Sequence, residues 1–328
     1  MDNATHTLTG AMLARVGVDR WCPRAAWLLM IASNLPDADI VTRIEDSLTY
    51  LDYHRHLTHA VAMSPLVAIA TVLLVRVFSK GAFPYVRSFF VALLGVFAHL
   101  AFDATNMYGI RLALPGSAKW YELDALPVVD PWIMAVLLLA VAAPFLSRLI
   151  NSEIGSKGGP GRGWAAFALS FILLYTGARV VLHGRAIAAL ESRMYLGEEP
   201  RLVAAWPAPF NPFHWTGYAE GKNFQTLHTL DLNEEFDPVA GRVFYKPDNT
   251  AALDAARKTV TMERFFHFAQ YPVWRIVPLA EPQGALRVQA GDLRFGAPPN
   301  LRFVVTVVLD RNLQVLSEKF EFGISLRP

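Results

Sequence analysis

Long apolar runs dominate the first part of the chain. Four of them reach the length of about 18 residues that lets a helix cross a bilayer. They cover residues 60–78, 88–106, 132–150 and 164–182. Two shorter apolar stretches, at 5–16 and 24–34, come before them and are too short for an upright span. The pattern predicts an α-helical membrane bundle of about four spanning helices, preceded by a hairpin of two short helices.

The pattern changes after residue 185. Pro-rich turns are followed by short runs of strand-forming residues. These runs cover residues 259–265, 273–279 and 301–309, and residues 313–322 alternate between apolar and polar positions. We therefore predict two domains, a membrane-embedded helical domain at 1–185 and a small soluble antiparallel β-rich domain at 186–328.

Composition supports the membrane class. Hydrophobic residues make up 53% of the chain and charged residues 18%, and the mean hydropathy is +0.30, which argues against a wholly soluble or disordered protein. The net charge of +2 provides no field that would recruit nucleic acid, and no basic stretch interleaved with aromatic residues is present. Because Cys22 is the single cysteine, any metal must be held by histidine and carboxylate.

Basic residues in the predicted turns fall on one side of an alternating helix path. They are Arg15, Arg20, Arg24, Arg76, Lys80, Arg87, Arg148, Lys157 and Arg162. The positive-inside rule makes this side cytoplasmic, so a protein of the plasma (inner) membrane would expose loop 107–131 and the C-terminal domain outside. Arg179 lies within the last apolar run, where it either marks a functional position or extends its charge to the membrane surface.

Histidines and carboxylates recur in the first third of the chain. The candidate ligands are His6, Asp37, Asp39, His54, His59, His99 and Asp103. The i, i+4 spacing of His99 and Asp103 places both side chains on one helix face, and the predicted topology brings all seven positions to the same membrane face. The set suits Zn²⁺, with Mn²⁺ or Fe²⁺ as alternatives, and seven ligands would suffice for one or two ions. Each piece alone is also compatible with a polar network that joins helices without metal.

Four motifs carry a resemblance to a known family. They are the run Thr5-His6-Thr7-Leu8-Thr9-Gly10, PDxD at 36–39, HRxxTH at 54–59 and HxxxDxxNxYG at 99–109. In combination they resemble the YdjM-type membrane-bound metal-dependent hydrolases over residues 1 to about 132. That family is thought to be distantly similar to zinc-dependent phospholipase C and P1 nuclease.

The resemblance implies roles for the candidate ligands. Asp37 or Asp39 would form one metal site with His59, His99 and Asp103, and His6 with a bridging Asp103 would supply part of a second site. His54 and Arg55 match the HR pair of the family. His56 departs from the family, whose members usually carry a small residue there, and is a further candidate ligand.

The expected chemistry is hydrolysis. A divalent ion would lower the pKa of a water that attacks a phosphoryl or acyl centre. Whichever of Asp37 and Asp39 does not bind metal would be the general base, and Arg55 would hold an anionic oxygen. Asn34, Thr58 and Asn106 would orient the ligands. A site at headgroup depth favours a lipid or lipid-linked phosphodiester. The alternative is a non-catalytic membrane protein with a structural or sensed metal and an outer domain that binds a partner.

Overall fold

The computed structural model describes residues 1–153 and 161–322, with side chains for 1–146 and 161–322. Its first part is helical. The helices are α1 (Asn3–Leu13), α2 (Asp19–Trp21), α3 (Ala25–Ala32), α4 (Ser47–Tyr53), α5 (Ser64–Val77), α6 (Tyr85–Ala104), α7 (Pro131–Glu153) and α8 (Arg162–Glu191). A π-helical segment at Ala14–Val18 and 3-10 segments at Leu35–Ile44, Leu57–His59 and Val61–Met63 join them.

Two glycines allow the predicted hairpin of short helices to pack tightly on α6. A Cβ atom on Gly10 of α1 would lie 2.9 Å from the backbone of Leu29 in α3, and one on Gly95 of α6 would lie 2.8 Å from the Cβ atom of Ala32. Helices α1 and α6 therefore both contact α3 at close range. His6 lies about one turn from Gly10, and His99 lies about one turn from Gly95, so this packing brings the two histidines together.

Within the part of the chain that the structure describes, two helices, α6 and α8, are long and apolar enough to cross a membrane. The stretches Ser47–His59 and Val61–Val77 would make a third span if they are one span with a 65° bend. The prediction of four spans is thus supported only for two or three. The apolar run at 60–78 yields the 14-residue helix α5, because the 3-10 turn Val61–Met63 precedes it. The run at 132–150 lies on α7, but its side chains beyond 146, including Arg148, and all of Lys157 lie outside the described residues.

Arg179 of α8 is buried inside the protein. Its Nε atom donates to the carbonyl oxygen of Ala125 at 2.9 Å, and its guanidinium lies 4.6 Å from the ring centroid of Trp215. The charge of Arg179 therefore joins α8 to the loop before α7 and to the first strands of the C-terminal part.

The C-terminal part contains two antiparallel sheets. The first has the order β1-β2-β3-β4, with β1 (Leu202–Pro207), β2 (His214–Glu220), β3 (Phe224–Asp231) and β4 (Arg242–Tyr245). The second has the order β10-β9-β6-β5, with β5 (Pro272–Pro278), β6 (Leu286–Asp292), β9 (Phe303–Leu309) and β10 (Val315–Phe322). A two-stranded ribbon of β7 (Gly296–Ala297) and β8 (Asn300–Leu301) follows the 3-10 turn Leu293–Phe295. The predicted strands at 273–279, 301–309 and 313–322 are confirmed in type, with shifted ends.

The predicted strand at 259–265 is wrong, because this segment forms helix α10 (Val260–Phe266), which follows α9 (Ala251–Arg257). The side chain of Thr259 caps α10 by accepting from the amide of Met262. Met262 and Phe265 are three residues apart and both are buried, so they form the apolar stripe of a helix. The short β-branched run at the start of this segment had favoured a strand.

The second sheet and its helices pack directly on the helical domain. Leu48 and Leu51 of α4 share a hydrophobic core with Phe265 of α10 and Val288 of β6. Beside this core, Arg264 of α10 donates to Asp52 at 3.3 Å. The C-terminal part therefore contacts the segment that leads into the HRxxTH motif.

Candidate metal centre

Five separate segments supply the predicted ligands. His6 lies on α1, Asp37 and Asp39 lie on the 3-10 segment Leu35–Ile44, and His54 follows α4. His59 ends the 3-10 turn Leu57–His59, and His99 and Asp103 lie on one face of α6. Pro36 is the second residue of the 3-10 segment, and Asp46 caps α4 by accepting from the amides of Leu48 and Thr49, so local sequence favours the start of these segments.

Four of the predicted residues converge on one buried point. His59 Nε2 lies 3.4 Å from Asp37 Oδ1 and 3.5 Å from Asp103 Oδ2. His99 Nε2 lies 3.8 Å and 3.6 Å from the same two oxygens. One potential ligand atom from each residue falls within 4.8 Å of all the others, so the set Asp37, His59, His99 and Asp103 has the residue types and spacing of a divalent-metal site.

The imidazoles of this set present their Nε2 atoms to each other. His99 Nδ1 lies 2.8 Å from the carbonyl oxygen of Ser33, which can only accept, so Nδ1 carries the proton and Nε2 has a lone pair. His59 Nδ1 lies 3.0 Å from the hydroxyl of Thr58. The two Nε2 atoms are 3.0 Å apart, the distance of a hydrogen bond in which His59 Nε2–H donates to His99 Nε2, and a metal ion would take the place of that proton. The histidines are thus oriented as ligands by bonds on their far sides.

A second group shares Asp37 with the first. Asp37, Asp39 and His54 also have potential ligand atoms within 4.8 Å of one another. Asp39 is already engaged, because its Oδ1 lies 3.0 Å from His54 Nδ1 and its Oδ2 accepts from the amide of Arg55 at 3.0 Å. The hydroxyl of Thr58 also lies 3.3 Å from Oδ2. Asp39 therefore holds the HRxxTH segment in place.

His6 lies beside the four-residue set and belongs to neither group. Its ring stacks on that of His99 at a centroid distance of 4.1 Å, and its Nε2 lies 3.3 Å from Asp103 Oδ1. The amino group of Met1 forms an ion pair with the same Asp103 oxygen. Neither ring nitrogen of His6 has a hydrogen-bond partner among the described residues. His6 is therefore a buried imidazole next to Asp103 with spare ligand capacity.

Arg55 is buried against Asp103. Its Nη2 lies 3.2 Å from Asp103 Oδ2, and its Nη1 donates to Asn106 Oδ1 at 3.1 Å and to the carbonyl oxygen of Gly109 at 3.2 Å. The guanidinium carbon lies 4.5 Å from the ring centroid of Tyr108. The backbone of Arg55 is left-handed, with φ of 61°, a strain that the surrounding contacts must offset. The Nε atom has no acceptor.

Some functional neighbours were not assigned roles from the sequence. Tyr108 lies under Arg55, although its motif was recognised, and the ring of Tyr50 stacks on His54 at 4.7 Å. The carbonyl of Ser33 orients His99, which no side-chain pattern could reveal. His56, the further candidate ligand, lies outside both groups and contacts the ring of Tyr53.

The carboxylate of Asp37 is held in its charged form. Burial raises the pKa of Asp37, but the hydrogen bond with His59 and the nearby His99 outweigh that effect and lower the pKa below its ordinary value. Asp37 therefore remains an ionised carboxylate, the form that binds a cation, throughout the physiological range of pH.

Comparison with known proteins identifies the helical part. The family model described as "YdjM inner membrane protein" matches residues 1–186, more than half of the chain. The chain belongs to the YdjM inner membrane protein family. The match covers every residue of the two candidate ligand groups, and it agrees with the resemblance inferred from the motifs.

The C-terminal part matches a second family model, the "YfhP C-terminal alpha/beta plait domain", over residues 251–325. A curated relative is "Uncharacterized protein YfhP" of Bacillus subtilis (strain 168), 29% identical over 153 residues. This match covers 43% of the present chain and 46% of the relative, so it spans less than half of either protein. No solved structure matches the chain.

Proposed function

We propose that this YdjM-family protein is a membrane-bound metal-dependent hydrolase. The observation that carries the proposal is the convergence of two imidazole Nε2 atoms and two carboxylates at a buried point. Asp103 forms ion pairs with Arg55 and with the amino group of Met1. With neutral histidines, the carboxylates of Asp37, Asp39 and Asp103 outnumber these two cations by one, so the cluster keeps a negative charge that would attract a metal cation.

The four-residue set would hold the first ion. His59 and His99 offer Nε2 atoms, and Asp37 and Asp103 offer one oxygen each. Zn²⁺ fits four ligands of this kind, and Mn²⁺ and Fe²⁺ accept the same atom types. Asp37, Asp39 and His54 also lie close enough to hold an ion, but Asp39 and His54 are hydrogen-bonded to each other, so we assign a single ion to the four-residue set. A bound divalent ion supplies Lewis-acid activation of a water and of the substrate oxygen.

Two further groups would serve the reaction. Asp39 Oδ1 lies 3.0 Å from His54 Nδ1, and we assign this pair the role of holding the proton that the attacking water loses. The unpaired Nε–H of Arg55 provides a donor for an anionic substrate oxygen beside the metal ligands. The sequence had predicted as base whichever of Asp37 and Asp39 does not bind metal, and Arg55 as the group that holds an anionic oxygen; our proposal assigns the first role to Asp39.

We infer that the substrate is a lipid or lipid-linked phosphodiester. An apolar groove of about 390 Å³ runs along α3 and reaches the 3-10 segment that carries Asp37, and Trp27, Ile31, Leu35 and Ala38 are among its lining residues. An apolar chain could lie in this groove while its headgroup faces the metal ligands. The distant similarity to phospholipase C and P1 nuclease that the motifs imply would favour a phosphodiester. We place the site and the C-terminal domain on the extracytoplasmic side, on the basis of the positive-inside rule.

Metal content tests the proposal first. Detergent-purified wild type, checked to be monodisperse, is compared by elemental mass spectrometry with His99→Ala and with a matched control, His214→Ala, whose histidine is partly exposed on β2. We expect near-stoichiometric Zn or Mn in wild type and control, and loss of the metal in His99→Ala. The absence of metal from all three proteins after chelator-free purification would contradict the proposal.

An activity assay distinguishes a catalytic metal from a structural one. Metal-loaded protein is assayed with bis(p-nitrophenyl) phosphate and with phospholipid in mixed micelles. Asp39→Asn should retain fold and metal but lose turnover, because it disrupts the pair with His54. Metal retention in every variant, together with no turnover by wild type, would instead support the non-catalytic alternative.

A further inference from the structure

We propose that Arg294 of the C-terminal domain is a positioning residue for Arg55. The inference rests on the proposed function in assigning Arg55 an anion-binding role, but its structural part is independent of that role. The connection runs through residues 106–109, which we call the NMYG loop.

Arg294 is a buried cation whose partners come from both domains. It follows β6, and its Nε and Nη2 atoms donate to Asp292, with Nη2 at 2.7 Å from Oδ2. Nη2 also donates to the carbonyl oxygen of Phe268 at 3.0 Å. The guanidinium lies 5.0 Å from the ring centroid of Phe295. Contacts with its own domain thus define the orientation of this side chain.

The remaining nitrogen of Arg294 points into the helical domain. Nη1 donates to the carbonyl oxygen of Met107 at 3.1 Å and to that of Tyr108 at 3.4 Å. Both carbonyls belong to the NMYG loop, so a charged donor of the C-terminal domain is hydrogen-bonded to the backbone of this loop. Hydrogen bonds from a charged group are stronger than neutral ones, which makes this a firm anchor.

The NMYG loop in turn surrounds Arg55. Asn106 Oδ1 and the Gly109 carbonyl accept from Nη1 of Arg55, and the Tyr108 ring lies under its guanidinium. Asn106 Oδ1 also accepts from the amide of Tyr108 at 2.8 Å. Every one of these contacts depends on the course of the loop. Because Arg55 holds a left-handed backbone, it needs the support of its surroundings to keep Nη2 at Asp103.

The geometry therefore assigns the C-terminal domain a part in the metal centre although it contributes no ligand. The path is Arg294, the NMYG loop, Arg55 and Asp103, and each step is a hydrogen bond, an ion pair or a cation–π contact. Loss of Arg294 should loosen the loop, shift Arg55 and leave the ligand set itself in place.

Hydrogen exchange tests this path without any assay of activity. Exchange in the NMYG loop and around Arg55 is compared by mass spectrometry in detergent-purified wild type, Arg294→Met and Arg294→Lys. Lysine keeps the charge but not the fork that reaches Asp292 and the loop together. We expect about tenfold faster exchange of the loop amides in both variants, with α6 and α8 unchanged.

The matched control is Arg264→Met, which removes a different contact between the domains, that of Arg264 with Asp52 and Thr49. It should leave the exchange of the NMYG loop as in wild type. Unchanged loop exchange in folded Arg294→Lys, or an equal effect of Arg264→Met, would overturn the proposal. The comparison remains decisive if Arg294→Met does not fold.

A double-mutant cycle then links the path to Arg55. Turnover of bis(p-nitrophenyl) phosphate is measured for Arg294→Lys, Arg55→Ala and the double variant, with metal content determined in each. We expect Arg294→Lys to lower kcat about tenfold with metal retained, and to add nothing in the Arg55→Ala background. Additive losses would overturn the assignment. If wild type shows no turnover, the proposed function fails, and the exchange result still decides the role of Arg294.

Discussion

Two buried charged clusters of this protein differ in how completely their polar atoms are paired. At the metal centre, both ring nitrogens of His6 and the Nε atom of Arg55 have no hydrogen-bond partner. Around Arg294, all three guanidinium nitrogens donate to Asp292 or to backbone carbonyls. Burial is similar in the two places, so burial does not distinguish them.

The difference lies in what each cluster needs. Buried polar groups without partners are costly, and a cluster that leaves several unpaired needs something further to satisfy them. The Arg294 cluster is completed by the chain itself, and it serves to connect two domains. The metal centre is completed by a cation in our proposal. Substitutions in and near the two clusters can test this contrast.

Asp292→Asn should strongly destabilise the protein and leave metal binding intact. The substitution removes the carboxylate that balances Arg294, and breaking a buried ion pair by removing one partner costs about 3–5 kcal/mol. Thermal unfolding in detergent measures the loss, and elemental analysis of the folded fraction measures the metal. Loss of metal at wild-type stability would reverse the roles that we give to the two clusters.

Asp103→Asn should differ from Asp292→Asn by lowering metal affinity, although it also breaks the buried ion pair with Arg55 and should destabilise the protein as well. Asp103 belongs to the four-residue ligand set, and loss of a ligand should lower metal affinity by more than the 10–100-fold typical of residues that only orient ligands. Titration of apo-protein with Zn²⁺ in competition with a chromophoric chelator measures the affinity. Unchanged affinity in the variant would exclude Asp103 as a ligand.

Asp124→Asn should change how stability depends on pH. Burial, with the nearby Glu122, raises the pKa of Asp124 to about 7, although Arg294 opposes this effect and Asp292 adds to it. Between about pH 4 and 7 the unfolded chain would therefore carry a charge that the folded protein does not, so stability falls as pH rises through this window. The variant should lose this slope and exceed wild type by about 1–2 kcal/mol near pH 8.

Unfolding temperatures of both proteins at pH 5 and pH 8 provide the measurement for Asp124. An equal decline in the two proteins would show that another group produces the slope. The result also bears on the comparison of the two clusters. Asp124 Oδ1 is buried without a hydrogen-bond partner, although it lies close to the Arg294 cluster, whose guanidinium nitrogens are all paired.

His228→Leu should have the smallest effect and leave metal content unchanged. Both ring nitrogens of His228 lack partners, but its ring neighbours are Tyr195 and Phe236, and it belongs to neither candidate ligand group. Burial lowers the pKa of His228 to about 4, so wild-type stability should fall as pH decreases from about 6.5 to 4.

Leucine at position 228 would remove that fall and change stability at pH 7 by less than about 1 kcal/mol. Unfolding temperatures at pH 5 and 7, with metal analysis, check this outcome. A loss of metal would show that an unpaired histidine matters even without neighbouring ligands.

The candidate ligands could be selected from sequence because their spacing is local. His99 and Asp103 share a face of α6 through the i, i+4 relation, and the HRxxTH and PDxD segments are recognisable as short motifs. Apolar runs likewise indicated α6 and α8, and alternation indicated β10. These features depend on residues within one or two turns, so the sequence by itself determined them.

Contacts between segments that are distant in sequence depend on the tertiary structure. It placed His59 Nε2 at His99 Nε2, 40 residues apart in sequence, and Arg294 at the NMYG loop, more than 180 residues away. It also made residues 260–266 a helix, because Met262 and Phe265 bury one face against the domain core. The periodicity of the sequence shows which face of a helix or strand is apolar, but not which other element that face packs against. The metal centre and its link to the C-terminal domain depend on this packing between elements.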